Sequence, residues 1–192
     1  MSTLRILVCI VCSVCLCVHP SKAADPSLEH ATEPAIHPTL LWFASQLVPS
    51  PQWSFVDHAG ARFGLRWQAT PMLFSFGINK KLSAWRWFIV EPYVRQSGSI
   101  ELFWSPEYVN LHDVEYSQWA FRSGLRGYIP LWQHGEYLSA SAATSYAVSG
   151  AARGISYEAG LYAFAGIAGV QVSYTPSFTR ARWMLTLRVR YF

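Results

Sequence analysis

Cysteine occurs only at positions 9, 12, 15 and 17 of this 192-residue chain. A disulfide framework, a thiolate metal site and a cysteine nucleophile are therefore excluded from everything that follows. Charge is scarce as well: 14% of residues are Asp, Glu, Lys or Arg, with a formal net charge of +4. Without a basic run to track phosphates, nucleic acid is excluded as a natural partner. No apolar run reaches the roughly 18 residues of a membrane-spanning helix. The sequence also lacks a phosphate loop, a zinc signature and a Gly-rich dinucleotide motif. No cofactor or metal is implied.

The first 23 residues read as a cleaved signal peptide. Arg5 supplies the positive n-region, the 13 residues 6–18 form an apolar h-region, and Ser21, Lys22 and Ala23 make a small-x-small cleavage site. Cleavage there removes Arg5 and Lys22 and leaves 13 basic against 11 acidic side chains in 169 residues. Those residues form a single domain. An exported chain without disulfides has to be held by backbone pairing and packing.

What is abundant is aromatic: nine Trp, ten Tyr and eleven Phe, all after residue 23. Period-two alternation dominates from Gln52 onward. It predicts strands over 52–57, 61–69, 72–78, 86–95, 99–108, 117–129, 137–148, 156–164, 168–175 and 182–192. Ten strands are expected, or eight where short pairs merge. Pro92 falls inside the strand at 86–95 and demands a bulge there. Thr70 and Pro71 are read as a tight turn, 149–155 as a longer loop. Ahead of the strands, 24–51 forms an N-terminal segment in which 39–48 reads as a short amphipathic helix or, alternatively, a short strand.

The final strand shows the pattern most clearly. Trp183, Leu185, Leu187, Val189 and Tyr191 occupy one phase, Met184, Thr186, Arg188 and Arg190 the other, and Phe192 follows. Elsewhere the polar phase carries Arg62, Arg66, Glu91, Arg95, Glu101, Arg122, Arg126 and Glu158, with Gln68, Tyr162, Gln171 and Ser173. In a lipid-facing barrel these charges point into the lumen, where Arg and Glu fill it or excess Arg makes a narrow anion-favouring path. Alternation defines two faces without saying which is inside. A soluble, lipocalin-like barrel would reverse them around a ligand. The tryptophans favour the membrane arrangement: Trp85, Trp87, Trp104, Trp119 and Trp183 are expected towards one interface, Trp67 and Trp132 towards the other.

Catalytic constellations are thin. His112, Asp113 and Glu115 form a weak candidate for metal binding or acid–base work. His134 and Glu136, with Ser139 or Ser141, could form a serine-type site, although no nucleophile elbow surrounds either serine.

The signal peptide, the alternating strands and the ending Leu185, Leu187, Val189, Tyr191, Phe192 together resemble a small bacterial outer-membrane β-barrel. The resemblance covers roughly 52–192 and is architectural. It implies an antiparallel up-and-down barrel, outer-membrane lipid as its surroundings, and a last strand recognised by the barrel-assembly machinery. Phe192 departs from the usual pattern by standing one step out of phase with the apolar residues. Barrels of this size include lipid A deacylases and acyltransferases, but none of their catalytic residues maps onto this chain. The expected function is a non-enzymatic envelope structural or limited-permeation role. A lipid-modifying enzyme, a narrow anion-favouring pore and a soluble ligand-binding barrel are the alternatives.

Overall fold

The computed structural model describes residues 48–57, 60–77, 84–88, 90–110, 117–179 and 181–190, all within one compact unit spanning 38–192. The signal peptide, nearly all of the segment expected to be helix or strand at 39–48, the loop bearing His112, Asp113 and Glu115, and Tyr191 and Phe192 lie outside the described residues.

Among the described residues, ten strands and little helix follow one another: β1 (Ser50–Val56), β2 (Gly60–Arg66), β3 (Ala69–Ser75), β4 (Trp85–Phe88), a five-residue helix α1 (Pro92–Gln96), β5 (Ser99–Val109), β6 (Trp119–Trp132), β7 (Leu138–Ser149), β8 (Ala152–Ala163), β9 (Ala168–Tyr174) and β10 (Trp183–Val189). Every pairing is antiparallel. Eight strands close into a barrel. Going round the wall, β2, β1, β10, β9, β8, β7, β6 and β5 are neighbours in turn, and β5 pairs with β2 to complete the ring.

The two extra strands arise from a break in one wall position. β2 lies opposite residues 107–109 of β5, and β3 continues along the same strand opposite residues 99–104. β4 then pairs with the other edge of β3. The expected strands at 61–69 and 72–78 are thus two halves of one wall position. Thr70 and Pro71, expected to be a turn, sit inside β3. The register shifts across Pro71 on both edges, as a residue without an N–H requires.

Pro92 corrects the reading in the opposite sense. The expected strand at 86–95 stops at Phe88, and Pro92 opens α1. Its missing N–H belongs to the first turn of a helix, where no partner is needed, so no bulge is required. Smaller corrections concern lengths. β1 begins at Ser50, before Gln52, and 149–155 holds only a two-residue turn, Gly150 and Ala151, because β8 starts at Ala152.

The barrel is apolar outside and polar inside. On β10, Trp183, Leu185, Leu187 and Val189 are exposed while Met184, Thr186 and Arg188 are buried. On β1, Trp53 and Phe55 face out and Gln52 and Ser54 face in; on β6, Phe121, Leu125 and Ile129 face out and Arg122, Arg126 and Tyr128 face in. The arrangement with the apolar face turned inward around a ligand is not the one in the structure. Among the described residues, two small apolar clusters are buried. One, at the end bearing the 57–60 and 175–182 connections (the loop end), joins Val56, Val109, Ala147, Phe178, Ala181 and Met184. The other packs Val90 and Val94 of the α1 region on Leu73. So little buried hydrocarbon leaves ladder pairing and the polar interior to define the fold.

Candidate functional site: the charged lumen

β7 makes room for the lumen network. Its inward phase is Ser139, Ser141, Ala143, Ser145, Ala147 and Ser149, all small. Arg126 of β6, Ala143 of β7 and Glu158 of β8 lie side by side in register. Because Ala143 rises only one methyl above the wall, Arg126 reaches across it to Glu158 at 2.7 Å. Arg122 holds the other oxygen of Glu158 at 3.1 Å. Gln171 and Ser145 donate to the same carboxylate at 2.7 and 3.2 Å.

Glu101 of β5 forms the second node. It accepts from Arg95 at 3.0 Å, Thr70 at 2.9 Å, Gln68 at 2.8 Å and Tyr128 at 3.1 Å, and Arg126 stands 3.5 Å from it. Arg126 also lies over the Phe103 ring at 4.2 Å, a cation–π contact in a desolvated setting. The third node is Glu107, 3.2 Å from Arg66 and 3.5 Å from Arg122. Arg66 further donates to Ser105 and Gln171. Arg188 donates to Gln68 at 3.3 Å and lies 6.0 Å above the Tyr162 ring.

Of the network residues expected from the sequence, Arg66, Arg95, Glu101, Arg122, Arg126, Glu158, Arg188 and Arg190 are buried together. Arg95 arrives from α1 rather than from a strand. Arg62 is exposed near the loop end, and Glu91 caps α1 with its backbone and makes no ion pair with a described residue. Glu107 was missed, although the alternation Ser99, Glu101, Phe103, Ser105, Glu107 carried the signal.

The opposite end of the barrel (the turn end) is crossed by α1. Gln96 receives a hydrogen bond from Ser139, and glycines at 135 and 166 allow its approach: a Cβ on Gly135 would collide with the Gln96 carbonyl, and one on Gly166 would stand 2.5 Å from Gln96 Nε2. Both glycines have positive φ. Ser139 is thus buried against α1, whereas His134 and Glu136 are exposed in the turn after β6. The serine-type site imagined from the sequence is not assembled.

The tryptophans distribute differently from expectation. Trp119 and Trp183 stand at the loop end, against Tyr108 at 5.4 Å and Tyr174 at 4.5 Å, and Trp132 stands at the turn end against Tyr137. Trp67 stacks on Trp119 at 5.8 Å, away from Trp132. Trp85 pairs with Phe74, opposite the start of β5, so Trp85 and Trp87 belong to the turn end. Trp104 lies midway along β5. Leu185, Leu187 and Val189 face outward on β10.

Glu101 and Glu158 are each held by cationic and neutral donors, whereas Glu107 has Arg66 and Arg122 beside it but an Oε1 that accepts no hydrogen bond from a described residue. The arrangement is suited to bracing the wall across the lumen. Compared with known proteins, the chain matches no family model, no curated protein and no solved structure.

Proposed function

We propose that this chain is an integral outer-membrane β-barrel with a lumen filled by its own side chains, serving a non-enzymatic structural or limited-permeation role in the envelope. The single observation that carries this reading is the inverted burial: a predominantly apolar exterior around an interior of arginine and glutamate. Water would penalise that exterior, since soluble monomers rarely expose large contiguous apolar patches. A bilayer reverses the balance, because lipid costs apolar side chains nothing and confines charge to the lumen. β5 to β8 have 11 to 14 residues, enough for a tilted strand to cross a bilayer. Outer-membrane lipid is then the main partner, and assembly follows the barrel-assembly route. α1 at one mouth and Phe178 at the other argue against a freely conducting pore.

The test is fractionation of the expressing cell, with the outer-membrane fraction run unboiled and boiled on a denaturing gel. A band in that fraction whose mobility changes on heating is expected. A soluble periplasmic band without that change would overturn the reading.

A further inference from the structure

Among the described residues, six arginines are buried (Arg66, Arg95, Arg122, Arg126, Arg188, Arg190) against three glutamates (Glu101, Glu107, Glu158). The buried described residues therefore carry three more arginines than glutamates. They are unevenly placed. The ion pairs engage Arg66, Arg95, Arg122 and Arg126, and the excess accumulates on the last strand and just beyond it. Arg188 keeps Gln68 and the Tyr162 face. Arg190, 7% exposed, makes no close side-chain ion pair or hydrogen bond with a described residue, and Glu101 acts on it only at longer range.

Arg190 also lines a small cavity. It shares that space with Arg95 and Gln96 of α1, Pro92, and the turn residues Ala165, Gly166 and Ile167. The cavity measures about 10 Å³, room for roughly one water-sized occupant. Arg95 satisfies Glu101 and Thr70 through Nε and Nη2, so one edge of its guanidinium is uncommitted. Two largely buried guanidinium groups lining one small cavity form an electrostatic site for a small anion.

We infer that the cavity between Arg95 and Arg190 binds one halide ion, chloride under ordinary conditions, as the counter-charge that the lumen's own carboxylates do not supply. The site holds the ion against α1, so occupancy also fastens the helix over the barrel mouth. This inference does not depend on where the barrel resides.

The test uses the folded full-length chain, in detergent if it requires detergent. Its unfolding is followed by tryptophan fluorescence at constant ionic strength while chloride replaces gluconate, which is not a halide. Binding to the folded state alone predicts a folded-to-unfolded ratio about 100-fold higher once chloride exceeds its dissociation constant by ~100-fold. Arg190→Gln should erase the chloride dependence and, with chloride absent, be at least as stable as the parent. Arg62→Gln, at an exposed position, should keep the dependence. Crystals grown in bromide should show an anomalous peak between residues 95 and 190. Equal stability in chloride and gluconate, or a cavity holding water only, would overturn the inference. So would an Arg190→Gln variant that retains the full response.

Discussion

Arg126 and Glu158 meet at 2.7 Å with both side chains withdrawn from solvent, and they do so across a whole strand. The contact links β6 to β8 over β7. With the second arginine, Arg122, on the same carboxylate, one residue of β8 braces three adjacent strands from the inside.

Glu158→Ala should therefore be severely destabilising. It takes the nearer carboxylate from two buried guanidinium groups and the acceptor from Gln171 and Ser145, and removal of one partner from a buried pair costs about 3–5 kcal/mol. Urea unfolding followed by tryptophan fluorescence gives the value. Arg62→Ala, exposed near the loop end, should stay within about 0.5 kcal/mol of the parent.

Ala143→Leu should damage the same contact without touching a charge. The new side chain would occupy the space through which Arg126 reaches Glu158. Overpacking costs about 1–3 kcal/mol, and the loss should not add to that of Glu158→Ala in the double variant, because both act on one interaction.

Gly135→Ala should loosen α1. Its φ of 90° is left-handed, which costs a residue with a Cβ about 1–2 kcal/mol, and the added carbon would strike the Gln96 carbonyl. Faster amide exchange across 92–97, with the β6–β7–β8 ladder still protected, is the expected signature.

Leu125→Arg probes the exterior. Leu125 is 52% exposed, midway along β6. In a bilayer an arginine at mid-depth costs roughly 2–4 kcal/mol, so the folded fraction in lipid vesicles should fall sharply. A barrel that lives in water would tolerate the change within about 0.5 kcal/mol.

Phe178→Ala should open the loop end. Phe178 packs with Val56, Val109 and Met184 over the lumen, and Thr186 lies buried one step deeper than Met184. A Thr186→Cys reporter, in a chain lacking its first 23 residues and hence all native cysteines, should react with maleimide about tenfold faster for each 1.4 kcal/mol by which opening becomes easier.

Strand content, the polar and apolar phase of each strand, and most members of the lumen network were legible in the residues. Period-two spacing commits side chains to two opposite faces, and an arginine on the face opposite Leu185 and Leu187 stays there whatever the barrel does. Proline was legible only as an exception to that spacing. Pro71 and Pro92 both break a ladder, and whether a broken ladder becomes a bulge or a helix start depends on what lies beside it. Pro71 has β4 and β5 on its two edges; Pro92 heads into the barrel mouth, where Gln96 fits over two glycines.

Tertiary closure decided the rest. Which face is inside follows from the direction in which the sheet curls, and identical alternation permits either. Eight wall positions result from ten strands because β2 and β3 share one partner, β5, a pairing of distant segments that local spacing does not encode. The meeting of Arg126 with Glu158 likewise needed β7 to lie between them with an alanine in register. The residues alone determined the chemistry of the two faces; the closed ring of backbone hydrogen bonds determined which face was enclosed and which charges met.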